Sequence, residues 1–162
     1  MSASEFPAPR HGFVDPVLSE ALAPVLRDLE NSGGPIPDIR DRQWSDVPGQ
    51  VTAMLFGPDG SGQGVSAMAG ESLTDRIASV ADQVQEWAVE ALWHARRPAT
   101  WPECPEHPGS HPLAARLRDH RAVWTCPRTG NLICAVGQLP GPAAGATARR
   151  QGRAGRRRQP GR

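Results

Sequence analysis

Five thiol or imidazole side chains fall within two short stretches near the C-terminal end of the chain, "WPECPEHPGSHPL" (101–113) and "AVWTCPRTGNLICAV" (122–136). Thiolate sulfur and imidazole nitrogen are the donors a zinc ion takes in a tetrahedral protein site. Cys104 and His107 are separated by two residues on a proline turn, so both can point at one ion while the turn's free N–H groups donate to the sulfur. Cys126-Pro127-Arg128-Thr129-Gly130 has the matching shape, with Gly130 suited to a left-handed turn position. In that second turn Thr129 stands where a second thiol would be, so the half-site is one ligand short.

His111, four residues after His107 on a Pro/Gly turn, is the best-placed fourth ligand. His120 approaches from the far side. If "PRTG" closes a hairpin, Cys126 faces Asn131 and Val123 faces Cys134. Cys134 then lies on the opposite face of the strand from Cys126 and reads as a small buried apolar side chain. His11 and His94 read as solvated. The candidate metal set is therefore Cys104, His107, His111 and Cys126, with zinc as the cofactor. Two other readings fit the same residues: a metal-free fold of the same origin, and plain proline turns that happen to carry thiols. In the metal-free case Trp101, Trp124 and the preceding helix hold the unit by packing alone.

The two Cys-Pro turns resemble the knuckles of a zinc ribbon, a small β fold with two ligand pairs on two turns. The wider pattern, from Trp101 through "CPEHPGSHPL" to "AVWTCPRTG", resembles a family of uncharacterised small proteins from GC-rich bacteria, over roughly residues 70–140. That resemblance implies a fold relationship and no particular activity.

Elements that would carry these turns are legible upstream. "DPVLSEALAPVLRDLENSGG" predicts a helix with Asp15 as N-cap and Pro16 in the first turn. Leu18, Leu22, Val25 and Leu29 form its apolar stripe, Asn31 to Gly34 stop it, and Pro24 should bend or break it near Ala21. Residues 35–50 read as an irregular connection. "VTAMLF" (51–56) and "VSAMA" (65–69) read as a hairpin around "GPDGSGQG". A long helix follows from Ser72, with Asp75 completing a capping-box-like start and Leu73, Ile77, Val80, Val84, Trp87 and Ala91 on one face. Arg96 and Arg97 are placed in its last turn and Pro98 ends it. The stripe is expected to pack on the hairpin and the first helix rather than form a coiled-coil seam. "PLAARLRDH" (112–120) reads as a short helix or turn, and "AVWTC" and "NLICAV" as a second hairpin.

The fold class is thus α+β: an N-terminal helix, a β-hairpin, a long amphipathic helix, then a ribbon-like β-hairpin unit (101–139), in a single domain over 15–140. Residues 1–14 and 141–162 are expected to be disordered, since the tail holds nothing apolar larger than Ala.

Charge is unevenly distributed. Eleven arginines against seventeen carboxylates leave the first 140 residues at −6, while seven arginines and no acid follow from Gly141 onward. The three cysteines, an odd number, argue against a disulfide framework. No apolar run approaches the roughly 18 residues of a membrane helix, and the N-terminus lacks a signal pattern, so a cytoplasmic location is expected. Nucleophile elbow, phosphate-loop, dinucleotide and His-Glu-x-x-His motifs are all missing. The expectation is a non-enzymatic interaction or structural protein with a protein partner and a zinc-type site. The alternative is nucleic-acid association through Arg149, Arg150, Arg153, Arg156, Arg157 and Arg158, which would neutralise phosphates without reading sequence. A catalytic zinc with three protein ligands would leave Glu106 as the nearest carboxylate, with its side chain turned to solvent.

Overall fold

A computed structural model describes residues 14–141. The two segments expected to be disordered, 1–14 and 141–162, fall outside these residues except for Val14 and Gly141. The class is α+β, with two helices and two three-stranded antiparallel sheets. Among the described residues no helix is long and apolar enough to cross a membrane.

Helix α1 spans Pro16–Ser32. Asp15 caps it, its Oδ1 accepting from the Val17 N–H at 2.8 Å. Gly33 ends it at φ 71°, a left-handed conformation that costs a residue without Cβ little. Leu18, Leu22, Val25 and Leu29 are buried as the spacing requires. The expected break at Pro24 does not occur. Only one N–H is lost there, and the helix is held by its buried stripe and by close packing on Gly137, where an added Cβ would come 2.9 Å from the Pro24 Cβ.

Strands β1 (Asp38–Asp41), β2 (Gln50–Phe56) and β3 (Gly62–Met68) form the first sheet in that order. The β2–β3 hairpin matches the expectation. β1 replaces part of the irregular connection expected over 35–50. "DIRD" has one apolar residue, the buried Ile39, so no alternation marks it, and its charges suit a sheet edge. At the opposite edge Gln83 accepts from the Ser66 N–H at 2.9 Å and donates to the Ser66 carbonyl at 3.0 Å, so its amide occupies the free backbone groups there.

Helix α2 spans Leu73–His94, with the Ser72 Oγ accepting from the Asp75 N–H at 3.2 Å. Val80, Val84 and Trp87 are buried as expected, joined by Ala81, Ala88 and Leu92, while Leu73 is exposed. The helix stops before Arg96 and Arg97, which were expected in its last turn. Arg97 instead donates to the Gly33 carbonyl at 3.3 Å, at the end of α1 where the helix dipole favours a cation. α2 packs on α1 and β3 on one side and on the second sheet on the other.

That second sheet holds β4 (Ala114–Arg118), β5 (Arg121–Thr125) and β6 (Leu132–Ala135) in order. β4 falls where a short helix or turn was expected. Pairing with β5 overrides the helix propensity of its Ala, Leu and Arg. The turn between them uses Asp119 and His120, both at positive φ (46° and 58°), as a tight hairpin turn demands. β6 carries one extra residue opposite Trp124/Thr125, so Cys134 pairs with Trp124 and not with Val123 as the simple hairpin register had it.

A buried carboxylate fastens this sheet to α1. Asp28 has no solvent exposure and accepts from the Trp124 Nε1–H at 2.7 Å, the Gly137 N–H at 2.7 Å and the Leu139 N–H at 2.8 Å. Burial, the largest influence, pushes its carboxyl up, while those three donors act in the opposite direction. Beside it Trp101 meets Trp124 edge to face, centroids 5.7 Å apart, and donates to the Ser32 hydroxyl at 2.8 Å. Asp28→Asn turns an amide NH₂ toward at least one of the three donors, and is expected to lower the unfolding free energy by about 1–3 kcal/mol. Asp28→Ala, which orphans all three, should cost more. Chemical denaturation followed by tryptophan emission measures both.

Candidate metal centre

Each side of the site is a turn whose backbone aims N–H groups at a sulfur. In the first, the His107 N–H donates to the Cys104 carbonyl at 3.2 Å, and the N–H groups of Glu106 and His107 point to the Cys104 sulfur. A second turn, Ser110 N–H to His107 carbonyl at 3.1 Å, brings His111 round beneath His107. Glu103 tightens this loop by accepting from the Gly109 N–H at 2.8 Å. Its ends are closed by the Glu103–Pro112 bridge and by the Leu113 N–H donating to the Pro102 carbonyl at 2.8 Å. Gln85 on α2 donates to the carbonyls of both Trp101 and Leu113, which pins the loop to the helix.

In the second turn the Cys126 N–H donates to the Asn131 carbonyl at 2.9 Å, the pairing the sequence predicts, and the Gly130 N–H donates to the Cys126 carbonyl at 2.8 Å. Gly130 takes the expected left-handed position at φ 75°. The N–H groups of Arg128 and Thr129 point to the Cys126 sulfur.

The two turns face each other. One donor atom from each of Cys104, His107, His111 and Cys126 lies within 4.8 Å of all the others. His107 Nδ1 is 3.6 Å from the Cys104 Sγ and 3.5 Å from the Cys126 Sγ, and His111 Nε2 is 4.0 Å from the Cys126 Sγ. A tetrahedral ion with bonds of about 2.3 Å to sulfur and about 2.0 Å to nitrogen requires sulfur–nitrogen edges of about 3.5 Å. Two of the three distances meet that value and the third is within half an ångström of it. Both cysteines are fully buried, and the two imidazoles, centroids 5.0 Å apart, are half-buried. These four residues can hold a metal ion, and two thiolates balance the charge of a divalent one.

Glu106 is exposed, as expected, but it is not free. Its carboxylate accepts from the Thr129 hydroxyl at 2.8 Å and the Asn131 Nδ2–H at 2.7 Å, tying the first turn to the second. Asn131 and Thr129, in that order, hold its carboxyl below the usual range. Thr129 therefore serves as the latch for Glu106 and not as a missing ligand, and His111 completes the set. The two thiols differ. Burial is the largest influence on each and raises both. At Cys104 it prevails over the Glu106 and His107 N–H groups, and the thiol is pushed up. At Cys126 the Thr129 hydroxyl and the N–H groups of Thr129 and Arg128 outweigh it, and the thiol is drawn down.

The other candidates stand apart. Cys134 is partly buried against the core, and burial together with the nearby Asp28 pushes its thiol up to about 11, so it remains protonated at neutral pH. His120 sits in the β4–β5 turn, and the His94 Nδ1 is 3.0 Å from the Asp59 carboxylate at the end of α2. His11, Arg149, Arg150, Arg153, Arg156, Arg157 and Arg158 lie outside the described residues. Sequence reasoning missed the supporting groups Glu106, Asn131, Gln85 and Asp28. Only Asn131, directly after the turn glycine, carried a local signal. Compared with protein-family models, with curated proteins and with solved structures, the chain matches none.

Groups that orient metal ligands typically change affinity about 10–100-fold when removed. Glu106→Ala is expected to weaken cobalt(II) binding by that factor in an absorbance titration, whereas Cys134→Ala should leave the affinity unchanged.

Proposed function

We propose that the chain is a non-enzymatic structural or interaction protein whose ribbon-like C-terminal unit is closed by one zinc ion on Cys104, His107, His111 and Cys126. The observation that carries this reading is the convergence of four protein donors within 4.8 Å. Two sulfurs and two nitrogens in a tetrahedral set favour zinc among the common divalent ions. A set of four protein ligands also leaves no coordination position for a water, which a catalytic zinc keeps. Glu106, the carboxylate that bridges the two turns, is engaged by Thr129 and Asn131. The resemblance to zinc-ribbon knuckles agrees with the backbone N–H groups aimed at each sulfur. In this reading the ion supplies folding energy to a small sheet, and the surface of the closed unit and of the adjoining helices is what a protein partner meets.

Elemental analysis of the full chain purified without a histidine tag tests this. About one zinc per chain is expected, lost in Cys104→Ser, with a fall in Tm of roughly 10 °C or more if the site is saturated in the parent. A stably folded sample that neither contains zinc nor gains stability when zinc is added would sink the reading.

A further inference from the structure

We propose that the exposed face of α2 is the docking surface for the arginine-rich segment 149–158 of the same chain. Ser79, Asp82, Glu86, Glu90 and Trp93 follow one another at spacings of three, four, four and three, which is a single stripe on a helix. All five are exposed, and Trp93 is 69% exposed, the most of any large apolar side chain described. No element of the fold covers this stripe. Several of the other carboxylates are engaged: Asp38 by Arg40, Asp59 by His94 and Ser61, Glu103 by the Gly109 N–H and Glu106 by Thr129 and Asn131. Asp82, Glu86 and Glu90 have no ion pair or side-chain hydrogen bond to any described residue.

The segment that matches them begins at the right place. Gly141 and Arg97 line the same groove, of about 420 Å³, at the C-terminal end of α2, one turn beyond Trp93. From Trp93 back to Asp82 the helix rises about 17 Å. Arg149 is eight residues past Gly141, a reach of up to about 27 Å. The residues from Gly141 onward carry seven arginines and no acid, against a body at −6. Arg149/Arg150, Arg153 and Arg156/Arg157 place a cation every three residues or so along the segment. An arginine guanidinium also stacks on an exposed indole, which gives Trp93 a partner. Because the segment is tethered, its effective concentration at the stripe is in the millimolar range, so individually weak exposed ion pairs suffice. This inference does not depend on the metal reading.

Limited trypsin digestion of the full chain tests it, with mass spectrometry following cleavage at 149–158. In low salt the parent is expected to be cleaved there about tenfold more slowly than Asp82→Asn/Glu86→Gln/Glu90→Gln, as three exposed ion pairs imply. The difference should vanish near 0.5 M salt, where the Debye length falls below about 5 Å. Trp93→Ala, which changes no charge, should lose part of the protection. All four positions are exposed, and circular dichroism confirms that the variants keep the fold. Equal cleavage of parent and triple variant overturns the proposal. So does protection that grows with protein concentration, which would mean a second copy's segment, or protection that arises only when a short DNA duplex is added.

Discussion

The buried carboxylate of Asp28 joins the second sheet to the first helix. Three short strands bury little apolar surface, and sheets of this size need packing or a staple to persist. Asp28 reaches from α1 to the Trp124 indole in β5 and to two backbone N–H groups after β6. A lone buried carboxylate is costly unless its oxygens are filled. Here the filling groups come from two different parts of the C-terminal unit, so the cost is offset only when that unit is docked. Trp101 stacked edge to face on Trp124, and bonded to Ser32 of α1, extends the same fastening toward the loop that carries Cys104, His107 and His111.

At the other end of the unit the four-donor cluster plays the complementary part. Cys104 and His107 share one turn, His111 comes from the next, and Cys126 lies across from them at the end of β5. Two buried thiols and two half-buried imidazoles meet there at 3.5 to 4.0 Å. Glu106 spans the two sides and keeps them in register from outside the cluster. The unit is therefore tied down twice, by the Asp28 carboxylate on one side and by the Glu106 strap beside the four-donor cluster on the other. α2 packs on both sheets, and Gln85 on it bonds both ends of the loop that carries Cys104, His107 and His111.

Much of this was legible in the sequence because it depends on short-range spacing. Two residues between Cys104 and His107, a glycine at position 130, and the caps at Asp15 and Ser72 each encode a local geometry that the structure adopts. The long-range features left no such trace. β1 and β4 are paired by β2 and β5; "DIRD" does not alternate, and "AARLR" does so only over its last four residues, all good helix formers. Of the bend or break expected at Pro24 the break is not seen, and the close approach of Gly137 to that proline is a contact no local pattern shows. Asp28 looked like one more charge on an amphipathic helix, since nothing in the local pattern reveals that its face is covered by residues about a hundred positions away. Thr129 was read as a gap in a ligand pattern because its partner, Glu106, lies 23 residues earlier.

The proposed function requires one ion bound by two sulfurs and two nitrogens, with no water. X-ray absorption at the zinc edge, on the full chain loaded with one equivalent of zinc, reads that shell directly. The predicted result is two sulfur neighbours at about 2.3 Å and two nitrogen neighbours at about 2.0 Å, with imidazole outer-shell scattering. A first shell of oxygen and nitrogen without sulfur, or one sulfur with an exchangeable water, would contradict it.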